Sequence, residues 1–357
     1  MKIIKVLALT RYSRLGASSR LRTYQYLPYF KQNGIAVEVA PLFGDDYIHD
    51  LYSGKGKRPT VVLRAYFRRI KDLLRFRHFN LVWIEKELFP FLPAWGESLL
   101  NAFGIPYIVD YDDAIFHNYD LHPNKLVRFL LSNKINNIMK QAAVVVVGNS
   151  YLGERAYHAG AKRIELIPTV VDIKRYRVIP KLDRSPFTIG WIGSPGTSKY
   201  IHLIKPALSD VCKNGNAKVL LVGAGSIMLN DVPVEVKPWA EESEVEDIQT
   251  FDVGVMPLPD EPWERGKCGY KLIQYMACGK PVVASPVGVN QEIVDHGING
   301  FLARDVAEWV AALKQLRDNA SLKQEMGYAG RRKVEEQYCI QVTAPRLVDI
   351  MRSVAKH

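Results

Sequence analysis

The chain has 357 residues, of which 48% are hydrophobic and 24% are charged, as in an ordinary folded globular protein. This length predicts two domains, and the four cysteines form neither a C-x-x-C pair nor a metal-ligand spacing. A disulfide scaffold and a zinc module are therefore not expected, and no run approaches the roughly 20 apolar residues of a membrane span.

The positive charge is confined to the first half of the chain. Residues 1–178 contain 27 Lys and Arg against 15 Asp and Glu, a balance of +12, whereas residues 179–357 contain 21 and 22, a balance of −1. Such an excess favours an anionic partner for the first half: nucleic acid, acidic lipid headgroups or a phosphorylated substrate. The first apolar run ends at Arg11, which is too short for a signal peptide, and we therefore expect a cytoplasmic protein.

Strand-like apolar runs recur through the first half. They lie at residues 3–9, 35–43, 81–85, 107–111 and 143–148, with helix-like segments between them. The first two runs flank a polar loop and a helical stretch that ends at Gly34, and this order predicts a βαβ unit with a parallel sheet. Because the runs are almost continuously apolar, we expect helices on both faces of that sheet.

The second half repeats this plan. Its strand-like runs lie at residues 187–193, 218–225, 251–258, 280–285 and 300–303, and residues 304–357 are predicted to be mostly helical. Between the halves, residues 167–186 carry three prolines and no sustained periodicity, which is typical of a linker. The fold class is therefore α/β, with two doubly wound parallel sheets in tandem and ligands at the carboxyl ends of the strands.

The segment 264–292 contains the strongest chemical signal. A glycine-containing loop, GKCGYK, leads directly into the helical run LIQYMA. A loop of this kind aims backbone N–H groups and the positive end of a helix dipole at one point, and Lys267 and Lys271 add full charges. This pattern predicts an anion site, although a plain turn with two surface lysines has the same local features.

The run LIQYMACGKPVVASPVGVNQEIVDHGINGFLA resembles the donor-site segment of retaining GT-B glycosyltransferases, glycosyltransferase family 4. The resemblance implies two Rossmann-like domains facing a central cleft, with a nucleotide diphosphate-sugar held by the second. It also implies that Gly269 lies against the donor sugar and Leu272 at the diphosphate-facing helix start. Gly266 and Gln274 stand at the positions of the two glutamates in the family's Glu-x7-Glu motif, so neither glutamate is present. The amide of Gln274 can still hydrogen-bond ribose hydroxyls.

Other segments extend the resemblance over most of the chain. In GWIGSPGTSK, Lys199 matches a phosphate-contacting lysine, whereas Ser194 stands at the position of its partner arginine. Trp239 matches a position that lines the nucleotide base in that family. Gly16 lies in the first βα loop, whose glycine approaches the donor phosphates in the family. The predicted donor-binding residues are Gly16, Lys199, Trp239, Lys267, Gly269, Tyr270, Lys271, Leu272 and Gln274.

Carboxylates follow the fourth strand-like run, in the sequence IVDYDDAIF. Asp110, Asp112 and Asp113 repel one another, so a cation, a set of sugar hydroxyls or local strain is expected there. In the resemblance, Asp112 falls closest to a histidine that lies near the reacting carbon. We predict Asp112 and Asp113 as catalytic residues; an acidic first turn of a helix is the alternative.

Basic residues of the first half form two patterns. Arg11 and Arg20 belong to an arginine-rich loop suited to phosphate binding, or to a solvated turn. Residues 64–79 form an amphipathic basic helix, and residues 121–140 repeat its character, which favours an anionic membrane over simple packing on the sheet. The predicted acceptor and membrane side comprises Arg11, Arg20, Arg68, Arg69, Arg75 and Arg77.

These patterns predict an enzyme that moves a sugar from a nucleotide diphosphate-sugar to a hydroxyl of a glycan or lipid-linked acceptor. The resemblance implies retained anomeric configuration, and the basic first half favours cell-surface polysaccharide or lipopolysaccharide synthesis at the inner face of the membrane. It also implies residues 1–170 and 186–340 as domains, 171–185 as a linker, and 341–357 as a helix returning to the first domain. We expect neither metal nor nucleic acid as a partner.

Two alternatives remain open from the sequence. A dinucleotide-dependent oxidoreductase would use VGAGSIM at residues 222–228, where Met228 stands in place of the third glycine. A non-enzymatic lipid- or nucleic-acid-binding protein would use the basic first half, but would leave the donor-like segment without a role.

Overall fold

The computed structural model describes residues 3–52, 59–179 and 186–355. The chain divides into two compact units: one contains Met1–Thr169, Gly266–Cys268 and Thr343–His357, and the other contains Val170–Arg265 and Gly269–Val342. The last part of the predicted linker, residues 180–185, and the final two residues of the chain lie outside the described residues.

The first unit is built on a parallel sheet of six strands within the described residues. They are β1 (Ile4–Leu9), β2 (Ile35–Val39), β3 (Leu81–Glu85), β4 (Tyr107–Tyr111), β5 (Val144–Val147) and β6 (Ile164–Leu166), in the order β2-β1-β3-β4-β5-β6. All neighbouring pairs are parallel. All residues of β3, β4 and β5 are buried, because helices cover both faces as the apolar runs predict.

Helices connect these strands. They are α1 (Ala17–Arg22), α2 (Leu27–Gln32), α3 (Asp45–Tyr52), α4 (Pro59–Leu74), α5 (Trp95–Ala102), α6 (His117–Asp120), α7 (Lys125–Leu131), α8 (Lys134–Gln141) and α9 (Ser150–His158). Short 3₁₀ turns occupy Tyr24–Tyr26 and Phe76–His78. A bidentate ion pair between Arg22 and Asp110 joins α1 to β4 in the interior, with distances of 2.7 and 3.1 Å.

The second unit has its own parallel sheet of six strands in the described part of the chain. They are β7 (Phe187–Ile192), β8 (Ala217–Val222), β9 (Val234–Lys237), β10 (Val253–Met256), β11 (Val282–Ala284) and β12 (Gly300–Leu302), in the order β12-β11-β10-β7-β8-β9. Strand β7 is buried throughout. A Cβ atom on Gly190 would lie 2.0 Å from the Phe251 ring, so glycine is needed for this close packing.

The helices of the second unit follow the same alternation. They are α10 (Pro195–Ser198), α11 (Lys205–Cys212), α12 (Glu244–Gln249), α13 (Pro262–Arg265), α14 (Tyr270–Ala277), α15 (Asn290–Ile293), α16 (Val306–Asp318) and α17 (Ala320–Gln337). A 3₁₀ turn spans Lys199–Ile204. The last helix, α18 (Ile340–Val354), groups with the first unit from Thr343 onward, where Thr343 Oγ1 lies 2.8 Å from Tyr26 Oη.

Two separate six-stranded parallel sheets confirm the predicted doubly wound α/β fold class. Strands β6 and β9, each at one edge of its sheet, were not predicted as strands. Both are short, and neither has a fully buried residue, so their sequences lack the apolar run that marks a central strand. Across the described residues, no helix combines the length and the apolar character needed to span a bilayer.

Candidate active site

The carboxyl edge of the second sheet gathers several predicted donor residues. Strand order reverses between β7 and β10, and parallel α/β sheets bind ligands at such a reversal, outside the carboxyl ends of the strands. After β7, Gly193 donates its N–H to Val222 O at 3.0 Å. Ser194 then begins α10, and its N–H donates to Thr197 Oγ1 at 3.3 Å. Ser194, which stands at the position of the family's arginine, is therefore used to start a helix.

Helix α14 begins at Gly269, which adopts a left-handed conformation with φ of 63°. A Cβ atom at this position would lie 2.2 Å from Ile293 Cδ1, so the close approach and the positive φ both require glycine. The first turn of α14 contains no acidic residue, and the positive end of its dipole is therefore not neutralised locally. A helix start of this kind favours an anion.

Lys271 brings a full positive charge to the same edge. Its ammonium group lies 5.6 Å from the centroid of the Trp191 ring, and its Cε atom lies 2.9 Å from where a Cβ on Gly193 would be. The lysine therefore extends from the first turn of α14 over the end of β7. Lys199 is exposed in the 3₁₀ turn after α10, with its ammonium 5.1 Å from the Tyr200 ring centroid.

Gln274 takes part in a buried polar network that the sequence did not reveal. Its amide donates to Tyr176 Oη at 3.0 Å, and Tyr176 Oη in turn donates to Glu244 Oε1 at 2.8 Å. Trp239 Nε1 donates to the other oxygen of Glu244 at 3.1 Å. Gln274 is only 3% exposed, so its amide nitrogen serves this network, and its predicted ribose contact stays a prediction. Leu272 is fully buried, so only its backbone can face an anion.

The turn after β8 does not fit a dinucleotide. A Cβ atom on Gly223 would lie 2.3 Å from Gly193 O and 2.9 Å from Trp239 Cβ. The pyrophosphate of a dinucleotide approaches the second glycine of this motif, and a Cβ atom on that residue, Gly225, would lie 3.2 Å from Pro195 Cβ, so this space is also occupied by the protein's own atoms. The oxidoreductase alternative loses its main support.

The carboxyl edge of the first sheet carries the predicted carboxylates. The side chains of Asp112 and Asp113 are 12% and 25% exposed, and Lys86 lies between them, 3.0 Å from Asp112 Oδ1 and 3.5 Å from Asp113 Oδ2. Ser18, from α1, donates a hydrogen bond to Asp112. Lys86 has a φ of 66°, a conformation that costs a non-glycine residue about 1–3 kcal/mol and that collects at functional sites. Lys86 was not predicted as a site residue, because the only local feature that indicates a role is its position directly after a buried strand.

These charges set the protonation of the cluster. Burial raises the pKa of Asp112, but the attraction of Lys86 and the Ser18 hydrogen bond outweigh it, and the net pKa is lowered. Burial lowers the pKa of Lys86, yet the two aspartates raise it overall. Asp112 is therefore an ionised hydrogen-bond acceptor at neutral pH and cannot serve as a general acid. In the described part of the chain, no group of three or more His, Cys, Asp or Glu side chains is placed to hold a metal ion.

The segment Gly266–Cys268 groups with the first unit, and Lys267 has its charged partner there. Its ammonium lies 3.0 Å from Asp113 Oδ1, and burial is outweighed by Asp113, so the pKa of Lys267 is raised. Its carbonyl accepts a hydrogen bond from Asn149 Nδ2 at 2.9 Å, and Cys268 donates its S–H to Asp112 O at 3.1 Å. Lys267 therefore pairs with a carboxylate of the first sheet, and its predicted donor contact stays a prediction.

The first βα loop is tied into the same edge. A Cβ atom on Gly16 would lie 2.4 Å from Tyr12 Cβ, so the loop needs glycine here, although its φ of −71° is ordinary. Arg11 donates to Glu87 Oε1 at 3.2 Å, and Glu87 Oε2 also accepts from Lys134 Nζ at 2.5 Å. Arg11 is thus paired inside this unit, and its predicted contact with an acceptor stays a prediction.

Two arginines assigned to the acceptor and membrane side are buried. Arg69 is 1% exposed, and its Nη2 donates to Thr10 O at 2.5 Å; burial lowers its pKa to about 10. Arg20 is also buried. Because the Arg69 guanidinium does not reach solvent, the prediction that it contacts a membrane is wrong, whereas the predicted phosphate contact of Arg20 stays a prediction. Arg68 and Arg77 are exposed, and Arg75 is exposed but bonded to Glu38 at 2.6 and 3.0 Å.

The fold as a whole is that of the GT-B class of glycosyltransferases. The sucrose-phosphate synthase from Thermosynechococcus elongatus matches with a TM-score of 0.75 at 15% identity, over 98% of this chain and 98% of that chain. HepE from Anabaena, solved in complex with UDP-glucose, matches with a TM-score of 0.70 at 17% identity, over 98% of this chain and 100% of that chain. At such identities the likeness shows the fold, and it confirms the predicted GT-B architecture.

Sequence comparison is more specific for the second unit. Residues 186–319 match the family Glycosyl transferases group 1. D-inositol 3-phosphate glycosyltransferase from Pseudarthrobacter chlorophenolicus is 27% identical over 131 residues, which are 36% of this chain and 30% of that protein. N-acetyl-alpha-D-glucosaminyl L-malate synthase from Bacillus anthracis is 25% identical over 236 residues, which are 60% of this chain and 58% of that protein. The chain thus spans less than two thirds of either relative. The family match confirms the predicted enzyme class, a glycosyltransferase.

Proposed function

We propose that the protein transfers a sugar from a nucleotide diphosphate-sugar to a hydroxyl of a glycan or lipid-linked acceptor, with retention of anomeric configuration. The observation that carries the proposal is the start of α14, where Gly269 makes the left-handed turn and Lys271 extends over the end of β7 within a group 1 domain. We place the reaction in the synthesis of a cell-surface polysaccharide or lipopolysaccharide, at the inner face of the membrane.

The donor half of the reaction is an electrostatic problem. The leaving diphosphate gains negative charge as its bond to the sugar breaks, so positive groups fixed at that point stabilise the transition state. The dipole of α14, Lys271 and the exposed Lys199 supply such charge, and we therefore expect turnover to persist in the presence of a chelator. UDP-sugars are the first donors to test, since HepE, which shares the fold, was solved with UDP-glucose. Replacing Lys199 by alanine should cost about 1–3 kcal/mol of donor binding.

On the acceptor side we propose that Asp112 and Asp113 accept hydrogen bonds from sugar hydroxyls. The lowered pKa of Asp112 supports this role, because an ionised carboxylate offers only acceptors. Asp113 is the more exposed of the two and is the better placed to take a proton from an incoming hydroxyl. Lys86 and Lys267 then act as positioning residues that fix the two carboxylates by ion pairs.

The proposed roles follow the predicted domains. Residues 1–170 bind the acceptor and residues 186–340 bind the donor, with residues 171–185 as the linker between them and residues 341–357 as a helix that returns to the first domain. The unit boundary after Thr169 and the grouping of Thr343 with the first unit support it.

The proposal is tested with a thermal-shift screen of nucleoside diphosphates and nucleotide-sugars, since a ligand that binds only the folded state raises the apparent stability. A stabilising donor is then incubated with candidate acceptors, and the anomeric proton of the product is followed by NMR. We expect one nucleotide to stabilise the protein and the product to keep the donor's anomeric configuration. If no nucleotide diphosphate changes the melting temperature, the donor site is misplaced; an inverted product would overturn retention alone.

A further inference from the structure

Three helices of the first unit expose apolar side chains. The most prominent are Phe67 and Leu74 on α4, Trp95 on α5, and Leu126, Phe129 and Leu130 on α7; Phe129 is 83% exposed and Trp95 is 70% exposed. The α7 residues are spaced i, i+3 and i+4, so they form one stripe on the helix. This set is named the apolar face below.

Helix α4 packs on the first unit through one face, which includes Ala65 and Tyr66, and leaves a second apolar stripe exposed. Its buried residues are Ala65, Arg69 and Leu73, whereas Phe67 and Leu74 project outward with 60% and 72% exposure. Burying an arginine while exposing a phenylalanine reverses the usual preference of both side chains. Packing within the chain therefore does not explain the outward stripe, and large exposed apolar surfaces of this kind mark interaction sites.

Contacts within the first unit link the three helices. Tyr66 of α4 donates to Pro90 O, and its ring lies 5.5 Å from that of Phe89, in the loop that precedes α5. Phe91 from the same loop is half exposed, and its ring lies 6.1 Å from that of His122, just before α7. The loop that leads into α5 therefore contacts both α4 and a residue just before α7, so the three helices are neighbours within the first unit.

The exposed charged residues of α4, α5 and α7 are cations, although the neighbouring α3 exposes Asp45 and Asp46. Exposed cations on α4 include Arg64, Arg68 and Lys71, and Lys125 is exposed at the start of α7. The acidic residues of α4, α5 and α7 are Asp72, which is partly buried, and Glu97, which is 1% exposed. An apolar stripe rimmed by cations, with no fully exposed carboxylate on the same three helices, complements a layer of anionic headgroups above acyl chains.

We propose that the apolar face inserts into the headgroup boundary of a bilayer that contains anionic phospholipid. The inserting residues are led by Phe129, Leu130 and Trp95, and the cations of α4 and α7 bind lipid phosphates. This inference rests on the proposed membrane location of the enzyme and deepens it, since it names the apolar side chains that enter the bilayer and the cations that bind its phosphates. A bilayer fits better than a folded partner because the stripes stand on separate helices, and fluid lipid needs no matching groove.

The test uses the full chain with vesicles of phosphatidylcholine, with and without phosphatidylglycerol, and needs no enzymatic readout. The variant Phe129→Ser with Leu130→Ser should reduce the partition coefficient on anionic vesicles at least tenfold, since two large apolar side chains no longer leave water. The matched control, Met228→Ser with Ile298→Ser, makes similar changes at residues that are 80% and 63% exposed in the second unit and should bind as the parent does.

Trp95 supplies a second readout. Its fluorescence should shift to the blue on anionic vesicles and be quenched by brominated lipid, and Trp95→Phe should lose this signal while binding is largely kept. Binding that survives the Phe129 and Leu130 changes but disappears in high salt would overturn insertion, because the arginines alone would then hold the protein. If the parent forms a dimer that the same changes abolish, and does not bind vesicles, then the apolar face binds a second copy of the chain and the proposal is overturned. Nucleotide binding, measured on the same variants, reports separately on the donor site.

Discussion

Lys271→Met is the most direct perturbation of the proposed donor site. The lysine stem extends over the end of β7, with its ammonium 5.6 Å from the Trp191 ring. Methionine keeps an unbranched apolar stem against that ring and removes only the charge. The change therefore separates electrostatic stabilisation of a diphosphate from packing, and the unfolding free energy should change little because Lys271 is not fully buried.

The expected magnitude follows from the kind of contact. A hydrogen bond between an ammonium and a phosphate oxygen contributes about 1.5–3 kcal/mol, and every 1.4 kcal/mol is a factor of ten in affinity. The loss of Lys271 should thus weaken binding of a nucleoside diphosphate by about 10- to 150-fold. A lysine that acted only from a distance, through screened solvent, would change the affinity by less than about threefold.

The assay is isothermal titration calorimetry with UDP, or with the nucleotide selected in the thermal-shift screen, at low and at moderate salt. Lys218→Met is the matched control, because Lys218 is a half-exposed lysine near the amino end of β8, paired with Glu235 at 3.0 Å. Lys271→Arg should recover part of the affinity, since it restores the charge in a different geometry. Equal dissociation constants for the parent and Lys271→Met, within twofold, would refute the placement of the diphosphate.

Three further predictions concern the buried groups. Lys134→Met should lower the unfolding free energy in urea by up to about 3–5 kcal/mol, because the buried Glu87 would keep only Arg11 as a charged partner, and adding Glu87→Gln should recover part of the loss. Burial raises the pKa of Glu87, but Lys134 and Arg11 outweigh burial and the net pKa is lowered. The contribution of ionised Glu87 to the unfolding free energy is therefore present above the ordinary glutamate pKa and disappears as the pH falls below it. If the unfolding free energies of the parent and Glu87→Gln differ equally at neutral and acid pH, this prediction is contradicted. Burial raises the pKa of Cys268 and Cys278 to about 12, so a thiol reagent at pH 8 should label neither in the native protein and both in denaturant.

The sequence by itself determined the elements of the fold. The apolar runs of β3, β4 and β5 are buried on both sides, so local composition was enough to mark them as central strands of a parallel sheet. The glycine-to-helix pattern at Gly269 was also visible, because a left-handed residue before a helix is a local conformational requirement. The short edge strands β6 and β9 were missed, since a strand with exposed residues has no such composition.

Only the tertiary structure decided which charges meet. Lys267 and Asp113 are 154 positions apart, and nothing in the periodicity of either segment indicates that they pair. The same holds for Lys86 between two aspartates, and for the burial of Arg69 on a helix whose phenylalanine faces outward. A helical pattern fixes which residues share a face, but the direction in which that face turns depends on its neighbours. Local sequence therefore marked the central strands of the sheets and the start of α14. Long-range packing decided which of the predicted arginines and lysines reach solvent and which neutralise a buried carboxylate.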